Sequence, residues 1–154
     1  MIRILLVSIL FAAMVCFCTV DDEFTVRDRD DAQVIFGISI PMSTEEKEAA
    51  RPVVMDVILE RREITRSSCK EYKALANLAS TQKVESVEVA FSDMSRLEQR
   101  EKELDISWSA YSESYDRYLR SVSLAHHMGF KEEARYFGYC TEDDGFKVTE
   151  YVAF

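Results

Sequence analysis

Residues 82–128 read QKVESVEVAFSDMSRLEQREKELDISWSAYSESYDRYLRSVSLAHHM. Within them Val84, Val87, Phe91, Met94, Leu97, Glu101, Leu104, Trp108, Tyr111, Tyr115, Tyr118, Val122 and Ala125 recur at steps of three and four that alternate almost without error, all of them apolar or aromatic except Glu101. A helix turns once per 3.6 residues, so that rhythm lays the apolar residues along one stripe, as in a coiled-coil seam. Glu98 with Lys102, Glu113 with Arg117 and Asp116 with Arg120 add oppositely charged pairs four residues apart. The spacing predicts a long amphipathic helix over 82–128, ended by Gly129.

Upstream, Ser43-Thr44-Glu45-Glu46 is a capping box, in which a serine and a glutamate three residues on satisfy each other's backbone donors. It starts a second helix over about 43–79. The apolar face is Ala50, Val53, Val54, Val57, Ile58, Ile64, Tyr72, Leu75 and Leu78. Pro52 threatens a kink, and a further box at Ser68–Glu71 threatens a division. A short third helix is expected over 131–139. Val34–Ile40 reads as a strand or extended apolar arm after a loose acidic stretch over 21–31, and Phe146–Phe154 as a strand-like tail pairing with it. Four glycines and two prolines in 154 residues argue against a many-turned sandwich. The expected fold is mainly α: an antiparallel helical bundle or hairpin with a minor β element from the two ends.

The first residues set the compartment. Arg3 is followed by the apolar run Ile4–Phe17 and then Asp21-Asp22-Glu23, the layout of a secretory signal peptide. Cleavage is expected after Cys18, giving a leader over 1–18, an acidic segment and arm over 19–42, and a helical domain over 43–154. The alternative is an uncleaved anchor over Ile4–Val20, at the short limit of a membrane span. In an oxidising compartment Cys69 and Cys140 are expected to form a disulfide closing a loop of about 70 residues. If 82–128 is one straight helix, however, Cys140 is too far from Cys69. A break near Asp105-Ile106-Ser107 is therefore expected, giving a compact bundle; otherwise the thiols bridge two chains.

With 28 acidic against 19 basic residues and a formal charge of −9, the chain is repelled by phosphate backbones and anionic lipid. Neither nucleic acid nor, once the leader is gone, a membrane is an expected partner. No glycine-rich phosphate loop or Gly-x-Ser-x-Gly elbow is present. His126-His127, the two histidines of the chain, point about 100° apart on a helix and cannot chelate one metal together. No enzyme activity, cofactor or metal is expected. The pattern Gly129-Phe130-Lys131-Glu132-Glu133-Ala134-Arg135-Tyr136-Phe137 resembles the centre of a tetratricopeptide repeat, which implies a helix there. It has no second copy at that family's period, so a solenoid is not implied.

Trp108, Tyr111, Tyr115 and Tyr118 stand out because tyrosines in a helix seam bring hydroxyls that need partners. They make a candidate face for a protein partner or for self-association through helices. The expected function is that of a secreted, non-catalytic interaction or structural module. The alternative is a carrier of small apolar ligands in a pocket between helices.

Overall fold

A computed structural model describes residues 24–83, 94–141 and 145–152. The leader with Cys16 and Cys18, the seam positions Val84, Val87 and Phe91, and the turn at 142–144 lie outside the described residues.

Helix α1 runs Val26–Phe36, where a loose segment and a strand are expected. The sequence signal for it is Thr25-Val26-Arg27-Asp28, a capping box closed by aspartate. The Thr25 hydroxyl accepts from the Asp28 amide at 3.1 Å, and the Asp28 carboxylate accepts from the Thr25 amide at 2.9 Å. Gly37, at φ 69°, ends the helix: its amide donates to the Gln33 carbonyl at 3.0 Å, and the Ile38 amide donates to the Ala32 carbonyl at 3.2 Å. Ala32 and Phe36 are buried while Val34 is 82 % exposed, a helical alternation rather than a β one.

Helix α2, Thr44–Lys83, starts at the expected capping box: the Ser43 amide donates to Glu46 at 2.8 Å, and the Glu46 amide to the Ser43 hydroxyl at 3.3 Å. Pro52 sits inside it. The second box does not divide it, because the Ser68 hydroxyl donates to the Ile64 carbonyl at 3.1 Å. Helix α3, Met94–His127, is unbroken through Asp105–Ser107. It ends in a Schellman turn, with Gly129 at φ 84° and the Phe130 amide donating to the Ala125 carbonyl at 2.9 Å.

The two long helices pack antiparallel. Contacts climb one as they descend the other: Arg61 donates to the Arg117 carbonyl at 2.9 Å, the buried Thr65 hydroxyl lies 3.1 Å from the Ser114 carbonyl, and Tyr72 meets Trp108 with ring centroids 5.0 Å apart.

After Gly129 the expected third helix is absent. Residues 131–135 form a turn, so the tetratricopeptide-like helix does not form, and β1 follows at Tyr136–Thr141. It pairs antiparallel with β2, Gly145–Glu150, in the register Tyr136↔Glu150 to Thr141↔Gly145. The tail strand therefore pairs with its neighbour in sequence and not with Val34–Ile40. A hairpin closes across three residues, whereas the expected pairing needed both chain ends to meet.

The same hairpin resolves the cysteine problem. Cys69 and Cys140 form a disulfide, with Cα atoms 5.7 Å apart, beside an unbroken α3. Cys69 lies level with the Trp108–Tyr111 turn, about 26 Å back from the helix end at 1.5 Å per residue. Extended chain covers about 3.3 Å per residue, so the eleven steps from Gly129 to Cys140 suffice. The core lies at this end of the helical pair: Phe36 and Ile40 meet Val54 and Ile58 of α2, Tyr118 and Val122 of α3, and Phe130 beyond it.

Candidate functional site

The structure separates the four aromatic residues of the expected partner face. Tyr118 is completely buried and Tyr111 nearly so. Their hydroxyls meet β1. The Gly138 amide donates to the Tyr118 hydroxyl at 3.1 Å, which in turn lies 3.4 Å from the Tyr136 carbonyl; the Cys140 amide donates to the Tyr111 hydroxyl at 2.9 Å.

That arrangement explains why this helix carries tyrosine where leucine would pack better. A two-stranded sheet has two open edges, and burying one leaves backbone donors to satisfy. Gly138 and Cys140 turn their N–H groups away from β2, and two tyrosines, two helical turns apart, receive them. The stripe thus substitutes for a third strand. Burial pushes the Tyr111 and Tyr118 phenols up from their ordinary value, partly offset by the amides they accept from. Both are neutral near pH 7, so neither serves as a base.

Gly138 makes room for the Phe146 ring of β2, since a Cβ there would come within 2.3 Å of it. Tyr115 is half-buried, stacked on Tyr111 at 5.9 Å, and burial raises its phenol first, with Tyr111 adding to the effect.

Trp108 is the member of the set that faces outward, at 50 % exposure. Its ring meets Tyr72 at 5.0 Å and Tyr111 at 5.6 Å. Together with Asn77, Cys140 and Thr141 these rings line an open cleft of about 440 Å³ beside the disulfide. The sequence pattern places Tyr72 on the apolar face of its helix and does not join it to Trp108. The signal for it is its place three residues after Cys69, on the same face.

A second cleft of similar volume lies between α1 and α3, lined by Arg27, Asp28, Asp31, Asp116, Arg120 and His127. Arg120 and Asp31 form an ion pair in its lining. The neighbouring histidines go to different partners, His126 to the Tyr151 ring at 5.5 Å and His127 to Phe24 at 5.0 Å. Among the described residues no group of three His, Cys, Asp or Glu is arranged to hold a metal ion. No described helix is long and apolar enough to cross a membrane.

Glu133 was also not singled out by sequence. Its side chain is 8 % exposed and accepts from Arg51 at 2.6 Å, tying the turn before β1 to α2. The chain matches no protein-family model, no curated protein and no solved structure.

Proposed function

We propose that the protein is a secreted, non-catalytic interaction module that meets a protein partner through the Tyr72–Trp108 edge of its helical pair. The observation that carries this is Trp108, half-exposed and held between two tyrosines at the mouth of the cleft. Tryptophan and tyrosine present large apolar area at little conformational cost, which is why they anchor interfaces. Export is supported by the apolar run behind Arg3 and by the Cys69–Cys140 disulfide, a bond that persists in oxidising compartments. In this reading the α2–α3 pair extends as a coiled-coil-like arm, with the core end of the molecule as its base.

The alternative is a carrier of small apolar ligands in the same cleft, whose volume of about 440 Å³ falls within the range of ligand pockets. Its open mouth and its Asn77 and Thr141 lining favour a protein surface over an enclosed apolar ligand.

Cross-linking in the extracellular fluid of the source organism tests the reading. Replacing Tyr72 and Trp108 with alanine is expected to leave the melting temperature within a few degrees and to abolish the cross-linked adduct. Lost stability with an unchanged adduct would return both rings to the core and end the proposal. A small apolar molecule retained in native mass spectrometry, and lost with Trp108→Ala, would establish the carrier instead.

A further inference from the structure

Burial stops at the same level on both long helices. Among the described side chains none is buried beyond Cys69 on α2 or before Ser107 on α3. Past that level Leu78 is 58 % exposed and Ile106 60 %, with Leu75 and Leu104 half-buried. Amphipathic helices need their apolar stripe covered, and two helices alone cover each other on one side only.

One groove in this part of the molecule has a specific design. It has a volume of about 100 Å³ and is lined by Leu75, Leu78, Ala79, Arg100 and Glu103. Counting residue for residue from the Tyr72–Trp108 contact, Leu78 lies level with Lys102, between Arg100 and Glu103. An apolar centre thus has a positive charge on one side along α3 and a negative charge on the other. Glu103 also accepts from Gln99 at 3.0 Å within the helix.

Such a surface is complementary to itself. A two-fold axis through Leu78 carries Arg100 onto the position facing Glu103 and Glu103 onto the position facing Arg100. Isologous dimers demand this reciprocity, since each residue i that meets j must find j meeting i. The five lining residues carry one charge of each sign.

We propose that this groove is the interface of a homodimer, in which Leu78 packs on the partner's Leu78 and Arg100 pairs with the partner's Glu103. The interface is distinct from the Trp108 cleft. Leu75, Leu78 and Ala79 occupy a different face of α2 from Lys73, Ala76, Asn77 and Ser80, which line that cleft.

The test is sedimentation equilibrium of the full, oxidised protein and three charge variants. The wild type is expected to dimerise between about 1 μM and 1 mM. Arg100→Glu and Glu103→Arg each bring like charges together and should weaken the dimer at least about tenfold, or about 1.4 kcal/mol. The double variant Arg100→Glu/Glu103→Arg restores opposite charges and should return the constant to within about threefold of wild type. Helical circular dichroism of each variant checks that the monomer is folded. A wild type that stays monomeric up to about 1 mM overturns the proposal. So do single reversals without effect, or a double variant as weak as the singles.

Discussion

The two ends of the α2–α3 pair obey the same helical pattern and have different fates. At the end where α3 terminates, α1, the 131–135 turn and the β hairpin cover the seam, and Val54, Ile58, Tyr118 and Val122 are fully buried. At the other end the same spacing continues through Leu75, Leu78 and Leu104, of which Leu75 and Leu104 are half-buried and Leu78 is exposed. The boundary coincides with the end of β1, where Cys140 is bonded to Cys69. Periodicity decides which face of a helix is apolar; the chain beyond the helix decides how much of that face is covered.

Core substitutions should show the difference most strongly. Ile58→Ala empties a closed site and is expected to cost about 2–5 kcal/mol, whereas Leu78→Ala, measured on dilute monomer, should cost less than about 1 kcal/mol. Urea unfolding of the two variants checks this. Equal losses would mean that the far end is packed as tightly as the base. Amide exchange should agree, with α2 protected near Ile58 and opening readily beyond Cys69.

The disulfide sets the boundary and comes next in size. Replacing Cys69 and Cys140 with serine frees a loop of 71 residues, with an expected cost of about 2–4 kcal/mol. Thermal unfolding with and without reductant measures it, and intact mass of secreted protein starting at Thr19 and gaining two hydrogens on reduction confirms the pairing. A smaller step follows along the same strand. Tyr118→Phe strands the Gly138 amide in a buried place and should cost about 1–3 kcal/mol, while Tyr115→Phe, which leaves no backbone group of β1 unpaired, should cost almost nothing. If both were neutral, the tyrosine stripe would be ordinary packing and not the substitute for a missing strand.

These residues also show what the sequence makes legible. The two long helices, the Ser43 cap, the Gly129 stop and the Cys69–Cys140 pair follow from local spacing and compartment. The disulfide was readable, yet its coexistence with an unbroken α3 was not, because that depends on β1 running back along the helix. Tyr111 and Tyr118 stand out in a seam for their hydroxyls, but the groups those hydroxyls meet are main-chain amides of a hairpin whose path no periodicity encodes. Val34–Ile40 reads as a strand from its β-branched run, but the Thr25–Asp28 box and Gly37 bound a helix that takes in Val34, Ile35 and Phe36. Tyr72 escaped notice as part of the site because it belongs to the other helix and meets Trp108 only after folding.

The weakest expected effect concerns how α1 is held on the covered end. Hydrogen bonding from the Thr25 hydroxyl, and then from the Thr25 amide, keeps the Asp28 carboxyl below its ordinary value against a modest opposing effect of burial. The charges of His127 and Arg120 add to the lowering. A carboxyl whose folded value is depressed contributes stability that is fully present above its unfolded value, about 3.9, and is lost as pH falls through the folded one. Asp28 is largely solvated, so screening keeps the contribution below about 1 kcal/mol. Its signature is local. Below about pH 4, amides of α1 should exchange faster while those of α2 beyond Cys69 do not change. Thr25→Ala removes the main cause and should return the Asp28 titration, followed by NMR of its side-chain carboxyl, toward the ordinary aspartate range. If the titration does not move, the lowering comes from the residue 25 amide with the charges of His127 and Arg120, and the hydroxyl contributes nothing to it.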